Sequence, residues 1–390
     1  MPARVVVVGA SIGGLTAAET LRQEGFGGEI LLLGDEPHLP YTRPPLSKQI
    51  LLGDWEPDQA AIRTAAELDD LGIVVRTGCA AHGLDVEARV LHTAQGAIPF
   101  DELVIATGTE PRSHPLLPWA PTLRTMDDAQ RLRDRMRAAR RIAVIGSGIL
   151  GSEIASAARK HGAETLLIGR SGALGFGGVG TLLSDELSRL HEDNDVELAL
   201  RADIASAVPL PSGAAELTLG TAVRRVDLAV VMIGGMPRTG WLASSGLSVD
   251  DGIACDSSGT AAPGVSAVGD VAAWADPVSG RHVRVEHQSN AIEQAVAVAV
   301  RIARGENGTQ PVPLFWSEIH GARIHAYGWF DPATPLVERT TDPEARGAIF
   351  ASRDETGGAR GVVGWNASPR DFRAARAEVL AATPALTPQP

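Results

Sequence analysis

The chain has 390 residues, a net charge of −12 and a hydrophobic fraction of 44%. This length suffices for two or three domains, and the acidic balance argues against nucleic acid as the main partner. No apolar run reaches the roughly 18 residues that a membrane-spanning helix needs. The only cysteines, Cys79 and Cys255, are too few for a zinc site, an iron–sulfur cluster or a disulfide framework. We therefore expect a globular cytoplasmic protein without a metal.

Strands and helices alternate along the chain, which predicts an α/β fold. The first part contains predicted strands at 4–9, 29–34, 71–76, 89–93 and 100–108, with a helix at about 14–25. Because a strand begins by residue 4, we expect no signal peptide. A proline-rich stretch then precedes a second part, with helices predicted at about 127–140 and 181–193 and strands from 141 and near 195–208, 214–220 and 226–233.

The last third of the chain first returns to the alternating strands and helices of the first part and then changes to a predicted antiparallel sheet. A helix is predicted at about 288–304, and the alternating aromatic pattern after Pro311 predicts an antiparallel sheet that ends in a helix at about 369–382. Residues 383–390 are predicted to lack regular structure.

Two glycine-rich turns each follow an apolar strand and precede an alanine-rich helix. The first contains Gly9, Ser11 and Gly14, and the second contains Gly146, Gly148 and Gly151. A glycine turn lets the backbone approach a pyrophosphate, and the helix that follows offers unpaired N–H groups and its positive dipole end. Two such turns in one chain predict two bound dinucleotides, for which FAD and a nicotinamide nucleotide are the natural pair.

The acidic end of the second strand supports the first of these sites. Asp35 and Glu36 follow the run Leu31–Leu33, where a carboxylate can accept hydrogen bonds from an adenosine ribose. Either side chain has the right position, and we favour Glu36.

Lys48 is notable because this chain uses arginine almost everywhere else. Lysine occurs only at 48 and 160 among 35 basic residues, and Lys48 ends the proline-stiffened segment Pro40–Lys48. A compact ammonium group beside a flavin would stabilise the charge that builds on reduction. Chance retention of a lysine is the alternative interpretation.

The chain resembles the ferredoxin reductases of bacterial oxygenase systems, which belong to the glutathione-reductase-like flavoproteins. The resemblance runs from residue 4 to 376 and is carried by GASIGGLTAAETLR, LLLGDEPHLPYTRPPLSK, FDELVIATGTEPR, IAVIGSGILGSEIA, PGVSAVGDVA, VRVEHQSNAIEQA, LFWSEIHGARIHAYG and GVVGWNASPRDFRAAR. It implies two Rossmann-like domains that bind FAD and NAD(P)H, and a C-terminal α+β interface domain. The implied domains are 1–110 with 244–310, then 111–243, then 311–390.

The resemblance also implies roles for individual residues. Lys48 would pair with Glu153 near the hydride path, and Arg43 would face the flavin and its pyrophosphate. Further implied cofactor contacts are Thr107, Gly108, Gly269, Asp270, Glu286 and Trp316. For Glu153 the alternative is a charge at a helix start, and for Trp316 it is core packing.

One departure from the family bears on the nicotinamide nucleotide. The family usually has glutamate where this chain has Gly169, and Arg170 follows. Loss of the acid with gain of a cation is the pattern expected for the 2′-phosphate of NADPH. NADH use, or a nucleotide site that has weakened and carries a loosened loop at 171–180, are the alternatives.

Taken together, the residues and the resemblance predict a reductase that passes electrons from NAD(P)H through FAD to an iron–sulfur ferredoxin. Clustered arginines at 131–141 and at 370–376 suit an acidic protein partner, although a solvated helix face also explains the first cluster. Two other functions remain open. One is an oxidase or small-molecule reductase, and the other is a biosynthetic flavoenzyme with an altered nucleotide site.

Overall fold

A computed structural model describes the chain over residues 2–276, 280–306, 312–331, 333–342, 347–354 and 357–382. Residues 383–390, predicted to lack regular structure, lie outside this part. Within the described residues, no helix is both long and apolar enough to cross a membrane.

The first sheet is a six-stranded, mostly parallel sheet assembled from two distant segments of the chain. Its strands, in spatial order, are Thr260–Ala262, Val265–Ala267, Glu102–Ile105, Arg4–Val8, Glu29–Leu33 and Ile73–Arg76. Only the first strand pairs antiparallel. The apolar run Val5–Val8 is at most 4% exposed, as expected for a parallel strand that is covered on both faces.

Helices and a small antiparallel sheet surround this first sheet. The helices Ile12–Gln23 and Gln288–Arg304 pack against each other and cover one face. Shorter helices span Gln49–Leu52 and Ala65–Asp70. The antiparallel strands are Ala81–Asp85, Val90–Thr93 and Gly96–Pro99, of which the first and third were not predicted.

The second sheet is fully parallel and contains the second glycine turn. Its strands, in spatial order, are Val196–Leu200, Glu164–Gly169, Arg141–Ile145 and Leu228–Val231. Its helices are Met126–Ala138, Ile149–Lys160 and Ser184–Glu192, and a three-stranded antiparallel sheet comprises Ile204–Pro209, Ala215–Leu219 and Ala222–Val226. The single strand predicted near 195–208 is wrong, because the chain turns at Arg201, whose φ is +55°.

Two small sheets complete the first two parts of the molecule. Thr109–Pro111 pairs antiparallel with Gly235–Pro237 where the chain leaves the first part and where it returns. The other sheet orders Val249–Asp250, Gly252–Cys255, Ala272–Ala275 and His282–Arg284.

The C-terminal part is the predicted antiparallel sheet followed by a helix. The strand order is Leu314–Ile319, Ala322–Gly328, Ala359–Trp365, Gly347–Arg353 and Val337–Asp342, and the helix is Pro369–Ala382. Phe315, Ile319 and Ile324 join the same apolar cluster as Phe176 and Leu187 of the second part. The predicted fold class, two Rossmann-like units and a C-terminal α+β unit, is therefore confirmed.

A buried histidine pair connects the second and C-terminal parts. His320 Nε2 lies 3.0 Å from His191 Nδ1, and the His191 side chain is fully buried. His191 Nε2 has no hydrogen-bond partner in the described part of the chain. Burial lowers the pKa of His191 to about 3, and burial together with Lys160 and Arg159 lowers the pKa of His320 to about 4.

These depressed pKa values predict a loss of stability in mild acid. Because the unfolded chain binds protons near pH 6.5 and the folded pair does not, the free energy of unfolding should fall as pH falls from about 6.5 towards 4. His191 alone should contribute about 1.4 kcal/mol per pH unit in this range. Denaturant unfolding of His191→Leu should show a shallower pH dependence than wild type, with the exposed His92→Gln as control. An unchanged slope would contradict this role.

Candidate functional site

The two glycine turns have the same backbone geometry. Gly9 and Gly146 have φ values of +115° and +128°, a region that favours glycine. A Cβ at Gly14 would overlap the carbonyl oxygen of Gly9, and a Cβ at Gly151 would overlap that of Gly146. Only glycine therefore lets each helix start so close to its strand, which is what a pyrophosphate cradle requires.

The first turn opens onto a crevice of about 290 Å³. This crevice lies between the first glycine turn and the start of the helix Ile149–Lys160. Of the predicted residues, it is lined by Ser11, Arg43, Lys48, Gly108, Glu153, Gly269, Asp270, Glu286 and Trp316. It is continuous at Ser11 and Arg43 with a second cavity of about 100 Å³, which Gly9, Asp35, Glu36 and Thr107 also line. Because the two cavities share Ser11 and Arg43, they form one continuous crevice along the first glycine turn, which is where a dinucleotide fold holds its cofactor.

Both predicted ribose carboxylates line the smaller cavity. Glu36 accepts hydrogen bonds from the Tyr41 hydroxyl at 2.5 Å and from Arg43 Nη2 at 2.8 Å. Asp35 forms an ion pair with Arg238 at 2.6 Å, and its side chain is more exposed than that of Glu36. The structure therefore orients Glu36 rigidly, and the preference for Glu36 over Asp35 stays a prediction.

Tyr41 connects the cofactor crevice to the second part of the molecule. Its hydroxyl donates to Glu36 and accepts the backbone N–H of Met126 at 3.0 Å, at the first residue of the helix Met126–Ala138. Burial raises the pKa of the Tyr41 hydroxyl well above its usual value, with Glu36 adding to the rise and Arg43 opposing it. The hydroxyl therefore stays protonated and remains a donor at neutral pH.

Two arginines lie where the two cavities meet. Arg43 Nη1 donates to the carbonyl oxygen of Arg124 at 2.5 Å, and Arg124 Nη2 lies 3.4 Å from Asp270 Oδ2. Burial and the nearby Arg43 charge lower the pKa of Arg124. Each guanidinium group has a carboxylate partner, Glu36 for Arg43 and Asp270 for Arg124, so both arginines are oriented at the position that a pyrophosphate would occupy. Arg124 was not predicted.

Lys48 and Glu153 form an ion pair at the other end of the crevice. Lys48 Nζ lies 2.7 Å from Glu153 Oε1, and the two side chains are only 15% and 9% exposed. The hydroxyls of Ser47 and Ser317 each donate to Glu153, one to each carboxylate oxygen. Because Lys48, Ser47 and Ser317 all donate to it, the Glu153 carboxylate is fixed in orientation.

Aromatic and imidazole groups close this end of the crevice. Lys48 Nζ lies 5.6 Å from the centre of the Trp316 ring, within the range of a cation–π contact. The Trp316 backbone N–H donates to His287 Nε2 at 3.2 Å, and burial lowers the pKa of His287. Glu286 is paired with Arg284 at the rim. Trp316 therefore lines the crevice and also carries the contact that supports Lys48.

The second glycine turn lies beside a compact loop, residues 171–180. The alternative of a weakened nucleotide site had predicted a loosened loop here. Leu174, Phe176 and Val179 are at most 1% exposed, and the N–H of Gly175 donates to the carbonyl oxygen of Ser147 at 2.8 Å. These apolar side chains anchor the glycine-rich segment 171–180, so the loop itself is packed, while a weakened nucleotide site stays an alternative interpretation.

Several contacts of the site could not be found from the sequence. Arg124 lies in no recognised motif, whereas Tyr41, His287 and Ser317 lie in segments that carry the family resemblance but were assigned no role. Ser47 directly precedes Lys48, and its place in the proline-stiffened segment Pro40–Lys48 could have indicated that it lies at the site. Gly146, Gly148 and Gly151 belong to the second turn, and Arg170 follows the strand Glu164–Gly169; none of these residues lines the two cavities described above.

The fold and the paired dinucleotide turns define a two-site flavoprotein, and sequence comparison agrees. Residues 3–295 match the pyridine nucleotide-disulphide oxidoreductase family. The chain belongs to this family, and it is an oxidoreductase that uses FAD and a pyridine nucleotide. Cys79 and Cys255 are both buried and unpaired, and burial raises the pKa of Cys255 to about 12. The thiols of this member therefore do not form a redox disulfide.

Similar proteins cover nearly the whole chain. The chain is 36% identical to the ferredoxin reductase component of chlorobenzene dioxygenase from Cupriavidus sp., over 100% of this chain and 95% of that protein. It is 33% identical to rhodocoxin reductase from Rhodococcus erythropolis, over 99% and 91%.

Solved structures give the same result. The ferredoxin reductase for the CYP199A2 system of Rhodopseudomonas palustris superposes with a TM-score of 0.87 and 29% identity, covering 93% of this chain and 91% of that chain. The covalent putidaredoxin reductase–putidaredoxin complex gives 0.88 and 25%, covering 98% and 94%. The predicted family resemblance is confirmed.

Proposed function

We propose that the protein passes electrons from NAD(P)H through FAD to an iron–sulfur ferredoxin that serves a monooxygenase or a Rieske oxygenase. Support comes from relatives named as ferredoxin reductase components and from their coverage of the whole chain. The observation that carries the proposal is the buried Lys48–Glu153 pair, which lies in the crevice between the two glycine turns.

The residues of the chain would act by binding, orientation and charge. FAD, when bound, supplies the conversion of a two-electron donation into two one-electron transfers. The glycine turn from Gly9 to Gly14 and the arginines Arg43 and Arg124 would hold the pyrophosphate, and Asp270 would orient Arg124. Lys48 would stabilise negative charge in the crevice, and Glu153 would hold the Lys48 ammonium in place.

We further propose the division into an FAD-binding domain (1–110 and 244–310), a nucleotide-binding domain (111–243) and an interface domain (311–390). The first sheet supports it, because strands from residues 4–105 and 260–267 lie in one sheet. We also propose a cytoplasmic location, which two unpaired, buried cysteines favour.

The C-terminal helix offers the more suitable basic surface for an acidic ferredoxin. Arg370 and Arg373 are exposed there. In the other arginine cluster, Arg131 is paired with Asp128 at 2.7 Å and Arg141 with Glu164 at 3.0 Å. Unpaired charges steer an encounter more strongly than charges already neutralised within the protein.

The proposal predicts a yellow protein that carries non-covalent FAD. Anaerobic stopped-flow mixing with NADPH and with NADH should bleach the flavin, and added ferredoxin should reoxidise it faster than oxygen or a quinone does. A colourless protein that takes up no FAD would contradict the proposal. Faster reoxidation by oxygen or a quinone would favour an oxidase or small-molecule reductase, and no bleaching by either nucleotide would favour a biosynthetic flavoenzyme.

A further inference from the structure

Two arginines lie side by side at one edge of the second sheet. Arg170 follows the strand Glu164–Gly169, and Arg201 follows the neighbouring strand Val196–Leu200. Gly169 and Leu200 are paired in register, and the N–H of Arg201 donates to the carbonyl oxygen of Ser171 at 3.0 Å. Adjacent strands are about 5 Å apart, so the two arginines start from neighbouring positions.

Neither guanidinium group has a counter-charge among the residues that the structure describes. Arg170 and Arg201 are exposed, and neither side chain forms an ion pair or hydrogen bond within the described residues. Elsewhere in the same unit, arginines are paired, as Arg159 is with Asp195 at 3.1 Å and Arg224 with Glu197 at 3.0 Å. Two unpaired cations that extend from neighbouring strand ends repel each other, and a bound anion would relieve that repulsion.

The backbone also presents Arg201 in a specific way. Its φ of +55° is uncommon for a residue other than glycine, and it turns the side chain over Gly172. A Cβ at residue 172 would overlap the guanidinium Nε of Arg201. The missing side chain at Gly172 therefore makes room for the Arg201 side chain.

This edge lies next to the second glycine turn. Ser147, within the turn, has its hydroxyl 3.4 Å from the Ser171 hydroxyl. A Cβ at Gly169 would lie 2.7 Å from Ser147 Cβ and Oγ, so a glutamate at 169 has no room while Ser147 is present. The end of this strand is where a dinucleotide fold meets the adenosine ribose.

We propose that Arg170, Arg201 and the Ser171 hydroxyl form a binding site for the 2′-phosphate of NADPH. This proposal rests on the proposed function and adds the nucleotide specificity of the same site. A phosphate monoester accepts several charge-assisted hydrogen bonds, and two guanidinium groups and a hydroxyl supply the matching donors. Ser147 contributes by excluding the carboxylate that would repel the phosphate.

Binding of two probes to the FAD-loaded full chain tests the site. Calorimetric titration in a low-salt buffer free of phosphate should show at least tenfold tighter binding of 2′,5′-ADP than of 5′-AMP. Arg170→Ala and Arg201→Ala should each reduce this preference about tenfold without weakening 5′-AMP binding. The exposed Arg225→Ala of the same unit is the matched control.

A variant that moves the Arg201 side chain without removing its charge tests whether the position of this arginine matters. Gly172→Ala retains both arginines but displaces the flexible Arg201 side chain, so the preference for 2′,5′-ADP should fall while the affinity for 5′-AMP is kept. Equal affinity of the native protein for both probes, or an unchanged preference in Arg201→Ala, would overturn the 2′-phosphate site and leave the proposed function intact. Failure of both probes to bind would overturn the proposed function as well.

A preference for NADH over NADPH should be obtained by replacing Ser147 and Gly169, which meet at the end of the strand Glu164–Gly169. Ser147→Gly combined with Gly169→Glu should reverse the kcat/KM ratio in favour of NADH by at least tenfold, because the glycine admits the new carboxylate. Gly169→Glu alone should weaken both nucleotides. An unchanged ratio in the double variant would contradict the role given to Ser147.

Discussion

Lys48→Ala is expected to slow flavin reduction by NAD(P)H roughly 30- to 1,000-fold, which corresponds to about 2–4 kcal/mol in the barrier. The ammonium is fixed by Glu153 at 2.7 Å and lies inside the cofactor crevice, so it stabilises charge there without reorganising. Anaerobic stopped-flow absorbance of the flavin measures this rate directly. The control is Lys160→Ala, which removes the only other lysine, an exposed one.

A second measurement separates the role of Lys48 in the reaction from its role in the fold. Without Lys48, Glu153 keeps two hydroxyl donors but loses its counter-charge, which should cost about 3–5 kcal/mol in the free energy of unfolding. The double variant Lys48→Met with Glu153→Gln should recover most of that stability, because no buried charge remains unpaired. Flavin reduction in the double variant should stay slow. Wild-type reduction rates in the stable double variant would assign the pair to structure alone.

The parts of the fold that the sequence predicts are those in which the pattern is local. Val5–Val8 and Ile142–Ile145 are apolar runs that only a covered parallel strand explains, and each is followed by the glycines of its turn. The turn at Arg201 was missed, because no glycine marks its left-handed conformation. The strands Ala81–Asp85 and Gly96–Pro99 were missed because they belong to a small sheet whose strands are largely exposed.

Local sequence patterns alone were not enough to predict the residues of the candidate site. The rarity of lysine drew attention to Lys48, but its pairing with Glu153 came from the family resemblance, since the two residues are far apart in the chain. The hydroxyl of Ser317 reaches Glu153 from the C-terminal sheet, and although Ser317 lies in a segment of the resemblance, neither its composition nor the resemblance predicted this contact. Such contacts depend on how domains pack, and packing of distant segments leaves little trace in a single sequence.

The glycine turns provide a paired prediction, in which equivalent changes should have different results. Gly14→Ala and Gly151→Ala each add one methyl group that would overlap a backbone carbonyl oxygen, that of Gly9 and of Gly146 respectively. Backbone cannot yield as a flexible side chain does, so each turn must open and its helix must move away from the ligand. Gly14→Ala should therefore weaken FAD binding at least 100-fold, whereas Gly151→Ala should retain FAD.

Gly151→Ala should instead bind the nicotinamide nucleotide more weakly. The two variants should therefore each lose the affinity for a different cofactor. Flavin content after gel filtration, and calorimetric titration of 5′-AMP into flavin-loaded protein, measure the two losses separately. Gly27→Ala is the matched control, because a Cβ at that position meets open space. Circular dichroism checks that both variants fold. If Gly151→Ala released FAD while Gly14→Ala kept it, the assignment of the two turns would be reversed. If both variants kept FAD, the first turn would not be part of the FAD site.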